Sequence, residues 1–298
     1  MSDVSLPAPS ASRHCVLHPV TNAILPVRKS RGLTASDILK PMLDALLRIL
    51  GWRFLLITGD PCVLDRWLWL RGQLRGGGLR TFDAGCGNGA FSIFAAHEGN
   101  QVVAASFVSS EQESARGRAA ILGVTGIDFR VIDLREIAEH RGGLGLFEQI
   151  ICLETIEHVS DDERLVKELA GMLAPGGRLL LSTPFEHHRP LFTEDPQPSV
   201  TEDGSHVRYG YSQERLRQIV TDAGLRIDSE NFISGVVSQK LTNLMRRLST
   251  RVGLFGAWTL VLPLRALVML DAPLSKAMRY PYLSVALCAV KNASPSSL

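Results

Sequence analysis

From residue 79 to residue 182, short apolar runs alternate with stretches that read as helical. The runs Leu79 to Ala84, Gln101 to Ser106, Ile127 to Ile132, Phe147 to Leu153 and Arg178 to Ser182 have strand length, and helices fit between them at about 89–98, 110–122 and 160–173. Ser110 with Glu113 and Ser160 with Glu163 stand at capping-box spacing, and Pro175-Gly176-Gly177 turns the chain into the fifth strand. Further on, Ser212 opens a helix that Gly224 ends, while Leu225 to Ser234 and Tyr282 to Lys291 read as sixth and seventh strands. Strand and helix in alternation predict an α/β fold, a seven-stranded and mostly parallel sheet with helices on both faces that binds ligands at the carboxyl ends of its strands.

Four segments follow from the same pattern. Residues 1–33, with Pro7, Pro9, Pro19 and Pro26 and no sustained periodicity, read as a tail. Residues 34–78 read as N-terminal helices. In the first of them Ile38, Leu39, Met42, Leu43, Leu46, Leu47 and Leu50 recur at three and four, Pro41 interrupts the start and Gly51 supplies the stop. Asp60-Pro61 resembles an N-cap followed by proline at the first helical position of the second, which runs through Trp67 and Leu70 to the glycines at Gly76 to Gly78. The sheet takes residues 79–234 and 281–291, leaving 235–280 as an apolar helical insert before the last strand. Its core, Val252 to Leu270, is about long enough to span a bilayer but contains Pro263 and Arg265 and follows Arg246, Arg247 and Arg251. A buried helical lid or an interfacial helix meeting lipid therefore fits it better than a transmembrane span, after which a strand would have to return to a soluble sheet.

Composition changes the picture little. Lys and Arg number 32 against 30 Asp and Glu, so no global charge favours nucleic acid, and 45% hydrophobic residues suffice for a large core. Five scattered cysteines without CxxC spacing argue against a disulfide framework or a zinc cluster, and the start MSDVSLPAPSAS lacks the positive and apolar regions of a secretory signal. A cytoplasmic setting is the expectation, with a peripheral position at the inner face of the membrane if the insert meets lipid.

The candidate chemistry starts at Thr81 to Ser92, TFDAGCGNGAFS. Glycines at Gly85, Gly87 and Gly89 let the backbone turn sharply and approach a ligand, and Asp83 just before them suits a cationic or hydroxyl-bearing ligand better than a pyrophosphate. With the strand-helix alternation, this loop resembles the first motif of the class I S-adenosylmethionine-dependent methyltransferases, whose sheet is Rossmann-like; the resemblance covers about residues 60–233 and the last strand. It implies S-adenosylmethionine as cofactor, with Asp83, Gly85 and Gly87 at the methionine end, Asp133 and Leu134 at the adenine, and Cys152 and Leu153 along the sulfonium side. Where that family ends its second strand in an acid that holds the ribose hydroxyls, this chain has Ser106, and Glu111 is the candidate substitute.

At the end of the fourth strand stands Glu154-Thr155-Ile156-Glu157-His158. On a helical turn the first, fourth and fifth of these share a face, so Glu154, Glu157 and His158 can converge on a divalent ion that binds a substrate hydroxyl. The ExxEH pattern is similar to that of the ubiquinone-biosynthesis O-methyltransferases and the small-RNA 2′-O-methyltransferases. Ser182-Thr183-Pro184 followed by His206-Val207-Arg208-Tyr209 matches the latter's order, which makes His206 the fourth candidate ligand, with His187 and His188 as rivals. Magnesium or another divalent ion is one expectation; a metal-free general base at His158 or His206 is the other. The bland alternative is a helix start in which Glu154 receives backbone N–H groups.

The expected reaction is in-line transfer of the sulfonium methyl to an oxygen nucleophile. No NPPY-like sequence follows the fourth strand, and no cysteine is placed as a methyl relay. The apolar insert favours a small-molecule or lipid-linked acceptor over nucleic acid. An RNA 2′-O-methyltransferase-like enzyme and a cofactor-binding protein without turnover are the alternative functions.

Overall fold

The computed structural model describes residues 35–189 and 197–293, so the tail expected at 1–33 lies outside the described residues. Three helices precede the sheet: α1 (Ala35–Leu50), α2 (Arg53–Thr58) and α3 (Pro61–Gln73). Helix α1 runs through Pro41 and stops where Gly51 adopts φ +67° and its N–H bonds the Leu47 carbonyl at 2.9 Å, a glycine stop of the kind the sequence suggests. Asp60 caps α3 by accepting from the Cys62 N–H at 3.0 Å. The short helix α2 between them was not predicted.

The remaining elements are β1 (Arg80–Ala84), α4 (Ala90–His97), β2 (Gln101–Ser106), α5 (Ser109–Leu122), β3 (Ile127–Val131), α6 (Ile137–Leu144), β4 (Phe147–Leu153), α7 (Asp162–Gly171), β5 (Leu173–Pro184), α8 (Gln213–Asp222), β6 (Leu225–Ile233), α9 (Val236–Val261), α10 (Asp271–Met278) and β7 (Ser284–Lys291). The seven strands lie in the order β3-β2-β1-β4-β5-β7-β6. All neighbours from β3 to β5 are parallel, and β7 runs antiparallel to both β5 and β6. The sheet is thus mostly parallel, as expected, and Rossmann-like. Chain order reverses between β1 and β4, and the crevice at such a reversal is where sheets of this kind take ligands.

One face of the sheet packs on α6, α7 and α8 around the stacked rings of Phe82 and Phe147, 5.2 Å apart. The other packs on α4, α5 and the N-terminal helices, with Trp52, Phe54, Trp69 and Phe94 in its core. β4 is buried everywhere except Glu148, which is why it reads as an unbroken apolar run.

Two expected caps move. Val108, not Ser110, precedes α5 and makes no side-chain cap; Ser110 lies inside the helix. Asp161 rather than Ser160 caps α7, accepting from the Arg164 N–H at 3.2 Å, because Ser160 instead turns its N–H to Glu202.

The insert leaves β6 and returns into β7. Since β6 runs parallel to β5, it leaves at the same end of the sheet as the C-termini of β1, β4 and β5. Helix α9 is kinked at Gly253, whose φ of +74° and ψ of 167° are not helical, and a 3₁₀ stretch over Leu262–Leu270 leads into α10. Its inner side forms a small core of Leu241, Met245, Ala257, Val261 and Val268 against Leu64 and Leu68 of α3. Asp271 closes the hairpin by accepting from the N–H groups of Gly235, Val237 and Ser238 at the start of α9. Buried Arg265 donates to the Gly59 carbonyl at 2.6 Å and the Leu56 carbonyl at 3.4 Å. The buried-lid expectation fails in part: Val252, Leu254, Leu260, Leu267, Met269 and Leu270 are each 45–65% exposed.

Candidate active site

The glycine loop follows β1 into α4, with Gly85, Gly87 and Gly89 all at positive φ. Their reasons differ. A Cβ on Gly85 would lie 2.4 Å from the Thr155 hydroxyl, and one on Gly89 would lie 2.7 Å from the Ala115 Cβ, so both glycines are demanded by packing within the protein. Only Gly87 faces open space, which makes it the place where the loop can approach a ligand. The Gly85 and Cys86 N–H groups bond the Ala105 carbonyl at 3.0 and 2.8 Å and tie the loop to the end of β2.

Asp83 is buried beneath the loop, accepts from the Ser92 hydroxyl at 2.5 Å, and has its pKa pushed up to about 6 by burial. A buried carboxyl with one hydroxyl donor suits a cationic group of a ligand, whose charge would favour the ionised form. Ser106 ends β2, and its hydroxyl donates to Glu111 at 2.8 Å, so a carboxylate stands beside the strand end where the sequence has only serine. Asp133 lies just after β3, where Arg135 engages both its oxygens at 2.9 Å and holds its pKa below the usual range. Its oxygens are thus already partnered within the loop. Leu134 and Leu153 are buried beside the ends of β3 and β4, and Cys152 is fully buried. The four cysteines among the described residues, Cys62, Cys86, Cys152 and Cys288, are buried and unpaired.

The Glu154–His158 segment is not the regular helical turn that its spacing suggests. Glu154 adopts φ +51° and Thr155 φ −134°, and a single 3₁₀ turn over Ile156–His158 follows. The left-handed residue separates the two glutamates. Glu154 is held by the Ser182 hydroxyl at 2.9 Å, the Ser284 hydroxyl at 3.1 Å and the Arg66 guanidinium at 3.1 Å. It therefore stands outside the cluster that contains the other three expected ligands.

Glu157, His158 and His206 do converge, with one potential ligand atom from each lying within 4.8 Å of the others. The rings of His158 and His206 meet edge to face at 4.6 Å, and His158 Nε2 is 3.9 Å from Glu157 Oε1. Glu157 is fully buried; Thr183 donates to its Oε2 at 3.2 Å, while Oε1 and His158 Nδ1 have no hydrogen-bond partner. Burial first and the nearby Glu154 second push the Glu157 pKa well up. Crowding by the protein, followed by His158, His188 and Arg66, lowers the His206 pKa to about 4, although part of its ring still reaches solvent. A buried carboxylate oxygen without a partner, facing two imidazoles, is satisfied by a proton or by a cation. Of the rivals, His187 is largely exposed beside Glu186, and His188 Nδ1 lies 2.6 Å from the Phe185 carbonyl.

Sequence reasoning missed the residues that hold this arrangement. Arg66 comes from α3, where nothing but its charge distinguished it. Arg208 pairs with Asp162 and donates to the Val159 and Ser160 carbonyls, and the Tyr211 hydroxyl donates to Asp162 at 2.7 Å. Together with the bond from the Val207 N–H to the Glu157 carbonyl at 2.9 Å, they fix the loop that carries His206. One signal was available: Ser182-Thr183-Pro184, noticed as a motif, supplies a hydroxyl to each glutamate.

Residues 40–230 match the family described as a methyltransferase domain. The chain is 35% identical over 111 residues to the ubiquinone biosynthesis O-methyltransferase of Xanthomonas axonopodis pv. citri, covering 37% of this chain and 45% of that protein. To its counterpart in Xanthomonas oryzae pv. oryzae it is 33% identical over 124 residues, 42% of this chain and 49% of the relative. The chain thus spans about half the length of the curated relatives it matches. In fold it is similar to an S-adenosylmethionine-dependent methyltransferase from Mesorhizobium loti (TM-score 0.50, 20% identity, 79% of this chain and 100% of that one) and to the [4+2]-cyclase SpnF (TM-score 0.51, 18% identity, 77% and 82%). The matched domain, the glycine loop and the sheet order together establish that the chain belongs to the class I S-adenosylmethionine-dependent methyltransferases.

Proposed function

We propose that the protein transfers the methyl group of S-adenosylmethionine to an oxygen of a small-molecule or lipid-linked acceptor, at the inner face of a membrane that the insert contacts. The observation that carries this reading is the Glu157–His158–His206 cluster, placed after β4 and next to the turn that Thr155 packs against Gly85. The matched relatives, named as ubiquinone biosynthesis O-methyltransferases, support oxygen as the nucleophile.

The methionine end of the donor lies over Gly87 with its ammonium towards Asp83, and Glu111 with Ser106 takes the ribose hydroxyls. The sulfonium is already a strong electrophile, so the protein's work is positioning and removal of one proton. As the acceptor oxygen attacks the methyl carbon in line, the C–O bond forms, the C–S bond breaks and S-adenosylhomocysteine leaves. His158 receives the hydroxyl proton, the Glu157 carboxylate offsets the resulting imidazolium, and neutral His206, packed edge to face on the His158 ring, holds that ring towards the acceptor.

A second reading is favoured by the unpartnered Glu157 Oε1: Glu157, His158 and His206 would hold a divalent ion, which would lower the pKa of the acceptor hydroxyl. Glu154 does not join this set because Arg66, Ser182 and Ser284 already engage it.

Calorimetric titration with S-adenosylmethionine, followed by labelled methyl transfer into lipid and aqueous fractions, tests the function. Absence of binding heat at millimolar donor sinks it. His158→Ala is expected to lower turnover by about 10²–10⁴-fold with donor affinity unchanged. Full activity in excess chelator removes the metal; loss in chelator and recovery with magnesium or manganese establishes it.

A further inference from the structure

The insert is unlike the rest of the chain in charge as well as in exposure. Between residues 236 and 279 it carries seven basic side chains, Lys240, Arg246, Arg247, Arg251, Arg265, Lys276 and Arg279, against one acid, Asp271, which is buried at the start of α9. The whole chain has a formal charge of +2, so an insert at +6 leaves the remainder at −4. The buried positions Ala257, Val261, Arg265 and Val268 recur at four, four and three and form the inward stripe, while Leu254, Leu260, Leu264, Leu267 and Leu270 face outward. Exposed Arg247 and Arg251 sit immediately before this outward apolar surface.

We propose that this surface docks in the plane of an anionic lipid leaflet, apolar side chains entering the interface and the arginines meeting phosphate, so that the active-site end of the sheet faces the bilayer. The proposal rests on the methyltransferase reading and names the partner at its active-site rim. An in-plane position follows from the anchoring of the hairpin. Both its ends join strands of one sheet, Gly253 breaks the helix, and Arg265 and Asp271 tie its inner side to α2 and to the start of α9. A chain so fixed enters and leaves on one side. A second copy of the chain is the poorer occupant, since it would bring the same excess of positive charge against itself, whereas an anionic leaflet complements it.

The junction with the active site is cationic too. Arg189, just beyond the His187–His188 loop after β5, lies over the Tyr280 ring at 4.8 Å, and Lys240 of α9 approaches the same ring at 5.5 Å. Arg189 follows directly on the loop of His187 and His188 and Lys240 belongs to the insert, so the shared Tyr280 ring brings a cation from each to one place.

Flotation of the full chain with phosphatidylcholine vesicles, with and without phosphatidylglycerol, tests this. Retention is expected on the phosphatidylglycerol vesicles, with release by high salt. Arg247→Gln with Arg251→Gln lowers partitioning by about tenfold or more, and Leu254→Gln with Leu260→Gln and Met269→Gln abolishes it. No retention on either vesicle, equal retention on both, or resistance to high salt and alkaline extraction each overturns the proposal. So does light scattering that shows a dimer in the parent and a monomer in the triple glutamine variant. Donor titration of the same samples separates the two readings: unchanged heat with lost flotation concerns docking alone, and flotation without donor heat overturns the function while leaving docking intact.

Discussion

The contact between Gly85 and Thr155 makes a quantitative prediction about a loop ordinarily read only in terms of its ligand. In Gly85→Ala the new Cβ would sit at φ +86°, 2.4 Å from Thr155 Oγ1 and 2.7 Å from its Cγ2. The left-handed backbone costs ~1–2 kcal/mol for a residue with a Cβ. Overpacking adds ~1–3 kcal/mol, because Thr155 is held by the Ala84 and Leu153 carbonyls at 3.3 and 3.1 Å and has no free direction to move. The total is about 3 kcal/mol. Gly87→Ala meets nothing within 4 Å and costs the backbone strain alone, ~1–2 kcal/mol, but its Cβ enters the space assigned to the donor. Thr155→Ala removes the two clashing atoms and costs ~1 kcal/mol for the lost hydroxyl bond. The double variant Gly85→Ala/Thr155→Ala should therefore be more stable than the sum of the singles by ~1–3 kcal/mol. Equilibrium urea denaturation of the four proteins measures this coupling, and donor calorimetry on Gly87→Ala measures the loss of affinity. Additivity of the two changes within about 0.5 kcal/mol would refute the packing account of Gly85.

Three further outcomes follow from the same structure. With the Asp83 pKa near 6 and a cationic donor favouring its ionised form, donor affinity should be flat above pH 7 and fall by about tenfold per unit below pH 6; calorimetry across that range checks it, and Asp83→Asn should bind weakly with no such slope. Arg66→Met leaves the Glu154 carboxylate beside Glu157 without its cation and should cost ~3 kcal/mol; Glu154→Gln in that background should recover part of the loss in urea denaturation, and the absence of recovery counts against the pair. Asp271→Ala strips the start of α9 of its acceptor and should cost ~1–2 kcal/mol, with faster amide exchange confined to residues 236–252 by mass spectrometry; uniform exchange would show that the cap is not local.

The parallel half of the sheet was legible because central strands bury both faces and appear as continuous apolar runs, as β4 does with FEQIICL. The position of β7 was not legible. YLSVALCAVK is apolar enough for an interior strand but carries nothing that says which neighbours it takes or in which direction it runs. The helix starts show the limit of local rules: Ser110 and Ser160 satisfy capping-box spacing, yet Ser160 gives its N–H to Glu202 from a loop 42 residues away. ExxEH spacing put Glu154, Glu157 and His158 together and the resemblance added His206, but the face-sharing argument assumed helical φ throughout, and the left-handed Glu154 removes one of the four expected ligands from the group. The partner that sends Glu154 elsewhere, Arg66, lies 88 residues upstream, a separation over which single-sequence periodicity carries no information.

The antiparallel placement of β7 between β5 and β6 has a consequence for synthesis. A ribosome completes the glycine loop, β4 and the Glu157–His158 turn long before it releases residues 284–291, and until then β5 and β6 have no strand to join them. Ser284, which holds Glu154, emerges with that strand. The nascent chain therefore passes through a stage in which the glycine loop and the Glu157–His158 turn are made while Glu154 still lacks one of the hydroxyls that hold it. A chain cut short anywhere in the insert would stay at that stage, with β5 and β6 unjoined and their facing edges open.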